Sequence, residues 1–255
     1  MPQQAPASLP QARVLPLGDC AASVVFGVGI APADHARVTA FCAALAEAAP
    51  IDGVFEGGVL EWAPAFASAT VWYDPDRIGF EALAARLAAL AESPAPATAP
   101  GALFEIPFCA EGDFAPDLGE VAALRGLTPE AWLDRFTGLE FEVYMLGFLP
   151  GFAYLGVLPA ALSAPRLTTP RTSVPAGSVA IADGMCAAYP SASPGGWRLI
   201  GRTPAVLFDV ADAWRPALLA PGDRVRWRAV SRADHEALER RWRAAGIAAD
   251  ELRGG

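Results

Sequence analysis

The chain has 255 residues, of which 53% are hydrophobic, and a formal net charge of −9 at pH 7. This length suits one large domain or two ordinary ones. An acidic balance without a basic stripe argues against a nucleic-acid-binding protein, and no run approaches the ~20 strongly apolar residues that a membrane-spanning helix needs.

Residue usage narrows the possible chemistry further. All 19 basic residues are arginine, which excludes a Schiff-base lysine and a Walker A lysine within this chain. The four cysteines are scattered without a C-x-x-C pair, so we predict no zinc site and expect free thiols in a reducing cytoplasm. The N-terminal run MPQQAPASLPQ lacks the features of a signal peptide, and we expect a short tail there.

The first part of the chain predicts a small α+β domain over residues 12–92. The expected elements are strands within 12–30 and 51–74 and helices over 32–50 and 78–90. Their order, ββαββα, favours an antiparallel sheet with both helices on one face, which we assign to the ferredoxin-like class. We expect His35 at the surface. Nothing in this half indicates catalysis, so a docking or scaffold role is preferred.

Residues 92–101 (ESPAPATAPG) form a proline- and alanine-rich connector, and a second domain is expected over 101–230. The expected elements are strands over 103–108 and 225–229 and helices over 117–124 and 128–136. Thr128 as N-cap with Pro129 next is a good start signal for the last of these helices. Many short strands separated by Pro/Gly turns suggest a closed β-barrel.

A final helix is predicted over residues 231–253. Ser231 with Asp234 indicates a capping box at its start. Leu238, Trp242 and Ala245 form an apolar stripe, which we expect to pack on the chain's own barrel rather than on a partner. His235 is expected at the surface.

The stretch from Val143 to Phe208 carries the strongest functional signal. Rigid turns at Pro150-Gly151, Pro175-Ala176-Gly177 and Pro194-Gly195-Gly196 alternate there with apolar strand-like pieces. Its only acid is Asp183, against the arginines Arg166, Arg171, Arg198 and Arg202. Guanidinium groups beside glycine-exposed backbone suit a carboxylate, carbonyl or phosphate ligand. The alternative is that each arginine pairs with an acid elsewhere and holds loops together.

Nucleophilic catalysis is not indicated, because both histidines fall in predicted helices outside this stretch and Cys186 has no evident base partner. The predicted site instead binds and polarises its ligand. The predicted catalytic residues are Arg198, Arg202 and Tyr144. The predicted substrate-binding residues are Arg166, Arg171, Ser178, Tyr189, Ser193, Gly195, Gly196 and Trp197, of which Trp197 could equally be core.

Four segments make the chain recognisable: VYMLGFLPGFAYLG, PRLTTPRTSVPAGSVAIA, YPSASPGGWRLIGRTP and LLAPGDRVRW. Together they resemble the allophanate hydrolase subunit 1 family, a carboxyltransferase domain of the subdomain C/D type. That family includes the B-type subunit of bacterial 5-oxoprolinase, Kip-type kinase inhibitors and one half of the carboxyltransferase domain of urea carboxylase. The resemblance covers roughly residues 12–230 and is strongest over 143–228.

The resemblance implies a cyclophilin-like β-barrel for the second domain. It also implies one subunit of a heteromeric, ATP-dependent amide hydrolase of the 5-oxoprolinase type, acting in the cytoplasm with companion A- and C-type subunits. The implied substrate is a small amide or anion, and ATP would be used by the complex, with direct binding by this chain left open. The implied partners include neither nucleic acid nor membrane.

The chain departs from the family pattern at three places. Family members commonly have a GGQTG run where this chain has Asp183–Ala187, a histidine at Phe136 and an arginine at Glu142. These departures keep two alternatives open. One is a regulatory protein that inhibits a sensor histidine kinase, and the other is a carboxyltransferase-like module of a biotin-dependent system. The absence of a biotin-carrier or carboxylase domain in the sequence weakens the second.

Overall fold

The computed structural model describes residues 8–49, 57–93, 101–212, 216–245 and 249–254. Contacts between residues divide the chain into two units, Met1–Ala99 and Pro100–Gly255. Within the described residues, no helix combines the length and apolarity that crossing a bilayer requires.

The N-terminal unit is an antiparallel sheet with helices on one face. Its elements are β1 (Ser8–Pro16), β2 (Ala21–Gly27), α1 (Pro32–Ala48), β3 (Val59–Pro64), β4 (Ser68–Tyr73) and α2 (Phe80–Ala91). The strand order is β1-β2-β4-β3. Phe26 and Val71 from the sheet meet Phe41, Leu45 and Leu83 from the helices in one buried core, so the predicted layers are confirmed.

The observed order ββαββα is the βαββαβ order of ferredoxin-like domains started from its third element. The layers therefore agree with the ferredoxin-like class, while the order of elements along the chain is a circular permutation of the order in that class. The ferredoxin-like assignment of this unit stays a prediction. Residues 51–56, where the first expected strand of the second pair began, lie outside the described part of the chain.

The prediction of a surface position for His35 is wrong. The residue is 1% exposed, because it lies one helical turn from the core residue Val38 on the same face of α1. Burial lowers the pKa of His35 to about 4, so the imidazole is neutral at pH 7. Its position three residues before Val38 was a usable signal for burial, which was overlooked because the residue was interpreted as a polar surface group.

The second unit contains the remaining elements. The strands are β5 (Leu103–Phe108), β6 (Glu140–Leu146), β7 (Ala153–Gly156), β8 (Arg171–Val174), β9 (Ser178–Ala182), β10 (Met185–Ala188), β11 (Ser193–Gly195), β12 (Arg198–Arg202) and β13 (Arg224–Ala229). The helices are α3 (Leu118–Ala123), α4 (Pro129–Thr137) and α5 (Arg232–Ala245), with short 3-10 turns at Gly112–Phe114 and Ala249–Leu252.

The main sheet of this unit curls until its two edges meet. Its order is β12-β9-β10-β7-β6-β13-β5, and only the β5–β13 pair is parallel. At one end Cys109, directly after β5, and Arg202 of β12 exchange two backbone hydrogen bonds of 2.8 Å. Gly201 permits this approach, since a Cβ there would lie 2.0 Å from the Phe108 ring. A curled, partly closed barrel is therefore observed, and its cyclophilin-like class stays a prediction.

Helices α3 and α4 pack against the inside of the curled sheet. The Thr128 hydroxyl accepts a hydrogen bond from the Ala131 N–H at 3.2 Å, which confirms the predicted N-cap. Trp132 and Phe136 of α4 stack with ring centroids 4.9 Å apart and join the sheet residues in the core. Phe136 is thus a core residue, and its position accounts for an aromatic side chain there.

The C-terminal helix α5 starts as predicted, since Ser231 Oγ accepts from the Asp234 N–H at 3.1 Å. It ends at Ala245, earlier than predicted, and Ala249–Leu252 forms a 3-10 turn. Trp242 is buried and Leu238 packs against the barrel core, which confirms the intramolecular packing. The surface position predicted for His235 is wrong: it is 1% exposed and its ring lies 4.7 Å from that of Phe114.

Candidate functional site

A cluster of aromatic rings covers the outer face of the curled sheet. Ala153 and Leu155 of β7 point into the barrel core, so the alternation of a strand places Phe152 and Tyr154 on the opposite face. The Phe152 ring lies 5.2 Å from Tyr189 and 6.1 Å from Trp197, and Tyr154 lies 5.9 Å from Trp197. Edge-to-face contacts of this kind fix each ring in place.

Gly195 lets the chain close over this cluster, and Gly196 holds the adjoining loop through its backbone. A Cβ on Gly195 would lie 2.4 Å from the Tyr189 hydroxyl oxygen, so that phenol contacts bare backbone. Gly196 accepts a hydrogen bond from the Leu167 N–H through its carbonyl at 2.8 Å. Gly195 also pairs with Arg171 in the two-stranded ribbon of β8 and β11. The predicted grouping of Tyr189, Gly195 and Trp197 is therefore present in the structure.

Arg166 is the exposed cation of this face. Its guanidinium carbon lies 5.7 Å from the centre of the Trp197 ring, a cation–π distance, and no acid among the described residues lies within ion-pair distance of it. Burial raises the pKa of Tyr154 and Tyr189, and the positive charge of Arg166 partly offsets that rise. The two phenols are neutral hydrogen-bond donors at pH 7 beside an available guanidinium.

Arg171 and Arg198 pair with acids on and beside α3. The Asp117 Oδ1 atom accepts a hydrogen bond from Arg171 at 2.7 Å, and Arg171 also donates to the Trp197 carbonyl at 3.4 Å. Arg198 donates to the Glu120 carboxylate at 2.5 Å and to the Pro165 carbonyl at 3.2 Å. These contacts favour the alternative in which both arginines hold the walls of the site together.

Arg202 and Ser178 lie together where the sheet edges meet. They are register partners on β12 and β9, and Ser178 is buried. The Arg202 guanidinium carbon lies 4.5 Å from the centre of the Phe114 ring, against which Arg232 also packs at 4.3 Å. Ser193, on β11, donates from its hydroxyl to the Pro194 carbonyl at 3.3 Å.

Tyr144 lies over a glycine of the neighbouring strand. A Cβ on Gly156 would be 2.9 Å from the Tyr144 ring and 3.3 Å from the Met185 sulfur. Burial, and then the charge of Glu142, raise the pKa of Tyr144 to about 12. Burial also raises the pKa of Glu142. Tyr144 is therefore a neutral phenol at pH 7 and can donate a hydrogen bond.

The divergent run Asp183–Ala187 forms a β-hairpin. Asp183-Gly184 is the two-residue turn between β9 and β10, and Asp183 has φ 50. Asp tolerates positive φ better than most residues other than glycine. The turn thus gives a local structural reason for Asp183, and Met185 brings a thioether, in place of an amide, beside Tyr144.

Several residues at this site were not identified from the sequence. Asp117 and Glu120 were placed in a helix but not connected with the arginines. Phe152 and Tyr154 were assigned to a strand without a role, although alternation with the apolar Ala153 and Leu155 was a usable signal. Phe148 belongs with them, since its ring lies 5.3 Å from that of Phe152.

The site offers cations, phenols and backbone, and few groups that react covalently. Burial raises the pKa values of Cys109 and Cys186, so these thiols stay protonated at pH 7. Among the described residues, no group of three or more His, Cys, Asp or Glu side chains could hold a metal ion. The arrangement suits binding and polarising an anionic or carbonyl ligand.

Comparison with known proteins places the chain in a family. A family model described as the carboxyltransferase domain, subdomains C and D, matches residues 12–219. The chain is 41% identical over 237 residues to the B-type subunit of 5-oxoprolinase from Bacillus subtilis (strain 168), a match that covers 88% of this chain and 95% of that protein.

Solved structures share the fold. A crystal structure of TTHA0988 matches with a TM-score of 0.70 and 35% identity over 82% of this chain, which spans 40% of that longer chain. The K. lactis urea amidolyase matches with a TM-score of 0.70 and 18% identity over 98% of this chain and 18% of its own, a likeness of fold alone. The family-model match and the 41% identity to the Bacillus subtilis protein show that the chain belongs to the family of the carboxyltransferase domain, subdomains C and D.

Proposed function

We propose that this chain is one subunit of a heteromeric 5-oxoprolinase, which opens the cyclic amide 5-oxoproline at the expense of ATP. The observation that carries this proposal is the 41% identity to a B-type subunit of 5-oxoprolinase, which extends over 95% of that protein. The companion A- and C-type subunits and a cytoplasmic location are parts of the same proposal.

The chemistry of the aromatic face fits such a substrate. Cyclic amides of this type carry a carboxylate, a lactam carbonyl and an apolar ring edge. Arg166, exposed and stacked on Trp197, offers a cation to the carboxylate. The neutral phenol of the half-buried Tyr154 is the donor proposed for the carbonyl, and the exposed Phe148 ring is the apolar surface proposed for the methylene groups. Tyr189, Phe152 and Trp197 are buried and support these groups from beneath.

The role assigned to this chain is binding and electrostatic stabilisation. Opening a lactam adds water across the amide bond and needs a group that activates that water or the carbonyl oxygen. The histidines His35 and His235 are both buried outside the aromatic face, and the chain has no lysine. These features support a division of labour in which companion subunits complete the catalytic machinery and the ATP site.

Individual roles follow from the contacts. Arg166 and Tyr154 contact substrate in this proposal, and the buried Tyr189 supports them through the aromatic cluster. Arg171 and Arg198 support the walls through Asp117 and Glu120. Arg202 and Tyr144 remain proposed contributors to stabilising negative charge, and their effect on activity decides whether they keep that assignment.

Reconstitution tests the proposal. The tagged chain is co-purified from its native host, and the eluate is assayed for ATP-dependent conversion of 5-oxoproline to glutamate. We expect stoichiometric companion subunits and activity, which is lost when this chain is omitted from the reassembled mixture. A companion protein without activity, or a kinase in its place, would refute the proposal.

A further inference from the structure

The loop between β6 and β7 holds a phenylalanine in a strained backbone conformation. Phe148 has φ 70, and the Leu149 N–H donates to the Gly147 carbonyl at 2.9 Å, which closes a three-residue turn around Phe148. The γ-turn with positive φ is the rare and strained form. A bulky residue in this region of backbone space is a genuine outlier.

Burial does not compensate for this strain. The Phe148 side chain is 62% exposed, so folding recovers little of the stabilisation that burying a phenylalanine would supply. A glycine would adopt the same φ without a steric cost. Glycine at position 148 would therefore make the isolated chain more stable, so the presence of phenylalanine there is not explained by folding stability.

The rest of the loop is held firmly. The Gly147 N–H donates to the Phe152 carbonyl at 3.1 Å, and the Phe152 N–H donates to the Leu149 carbonyl at 3.0 Å. Gly151 packs so closely that a Cβ there would lie 2.7 Å from the Phe208 Cβ and 2.8 Å from the Leu207 carbonyl oxygen. The loop thus presents the Phe148 ring in a fixed position.

That position is next to the aromatic face. Phe148 packs edge-on against Phe152, with centroids 5.3 Å apart and the ring planes at 80°. Phe152 in turn contacts Tyr189 and Trp197, and Arg166 stacks on Trp197. Phe148 is therefore the exposed end of a row of rings that leads through the buried Phe152 and Trp197 to Arg166.

We propose that Phe148 is a ligand-contacting residue, which covers the apolar edge of a small ring-shaped carboxylate while Arg166 binds the carboxylate group. This inference rests on the proposed function. It accounts for the strain as the cost of holding an apolar ring over the site, a pattern found where strain serves binding. It also predicts the specificity of the site, since acyclic or more polar carboxylates would leave the Phe148 ring in water.

The test compares Phe148→Gly with wild type in two measurements. In the isolated chain we expect the thermal midpoint to rise by about 2–4 °C, because glycine relieves the strain. In the complex with companion subunits we expect the KM for 5-oxoproline to rise at least about tenfold, because the apolar contact is lost. Phe148→Leu keeps an apolar side chain on the same turn and should stay within about threefold of the wild-type KM.

Asp183→Gly is the matched control, since Asp183 is an exposed residue with φ 50 in the β9–β10 turn. It should also raise the thermal midpoint but leave the KM unchanged. An active wild-type complex whose KM does not change in Phe148→Gly would overturn this inference, as would a Phe148→Gly chain that no longer co-purifies with its companions. A wild-type complex without 5-oxoproline activity would instead refute the proposed function, and this inference with it.

Discussion

Asp117 binds two neighbours through its two carboxylate oxygens. Oδ1 accepts from the Arg171 guanidinium and Oδ2 accepts from the Leu199 N–H, both at 2.7 Å. One buried carboxylate therefore joins the start of α3 to β8 and β12. Trp197 directly precedes β12, and Arg171 also donates to its carbonyl, so this carboxylate helps to hold that ring in place.

This arrangement predicts that truncating Arg171 lowers the free energy of unfolding more than truncating Arg166. Arg171→Ala leaves the buried Asp117 without its charged partner, and we expect a loss of about 2 kcal/mol in the free energy of unfolding. Arg166→Ala removes an exposed side chain and should change that free energy by less than about 0.5 kcal/mol. Urea unfolding of the isolated variants measures both values. Equal losses in the two variants would contradict the assignment of Arg171 as a brace.

The contact between Tyr189 and Gly195 predicts that alanine substitution at Gly195 is far more destabilising than alanine substitution at the adjacent Gly196. A Cβ on Gly195 would lie 2.4 Å from the Tyr189 hydroxyl, whereas on Gly196 its nearest neighbour would be Pro170 at 3.5 Å. Neither glycine has positive φ, so only the contacts differ. We expect Gly195→Ala to cost about 1–3 kcal/mol through overpacking and to raise the KM, because Tyr189 must move.

Gly196→Ala serves as the control for that variant and should leave both stability and KM near wild type. Thermal unfolding and steady-state kinetics on the complex provide the readouts. A Gly195→Ala chain as stable and as active as Gly196→Ala would show that Tyr189 is free to move aside.

The buried imidazole of His35 predicts an acid-sensitive N-terminal unit. Its pKa falls from 6.5 in the unfolded chain to about 4 in the folded one, so the unfolded state binds the proton more tightly. The contribution of neutral His35 to the free energy of unfolding is fully present above pH 6.5 and is lost as the pH falls toward 4. The full loss amounts to about 3 kcal/mol, since each pKa unit corresponds to about 1.4 kcal/mol.

Denaturant unfolding of wild type and His35→Asn between pH 7 and pH 4 measures this linkage. Carboxylates titrate in both proteins, so the difference between the two pH profiles isolates the histidine. We expect the wild type to lose more stability than the variant across this range. Parallel profiles would mean that His35 keeps an ordinary pKa in the folded chain.

Local signals in the sequence predicted most elements of the fold. Leu103–Phe108 is a strand with the predicted bounds, and the caps at Thr128 and Ser231 form as expected, because capping depends on residues a single turn apart. The ends of longer elements were less accurate, as α5 shows by ending at Ala245. Burial of His35 and His235 was missed, because it depends on what packs against each helix.

The candidate site shows the same limit. Tyr189, Gly195 and Trp197 are close in sequence and lie in one cluster, and their role in binding stays a prediction. The division of the arginines depends on acids far away in the chain: Arg171 and Asp117 are 54 positions apart, and Arg198 and Glu120 are 78 positions apart. No local pattern encodes which arginine meets an acid and which is left to a ligand.

We propose that Arg166 on the aromatic face binds the carboxylate of 5-oxoproline within a multi-subunit hydrolase. The most direct measurement is the KM for 5-oxoproline of complexes assembled with wild-type chain, Arg166→Ala, or Arg135→Ala, the last removing an exposed arginine on α4. We predict a KM at least about tenfold higher for Arg166→Ala, in keeping with a lost charge-assisted hydrogen bond, and a wild-type KM for Arg135→Ala. An unchanged KM in Arg166→Ala would show that Arg166 does not bind the carboxylate of the substrate.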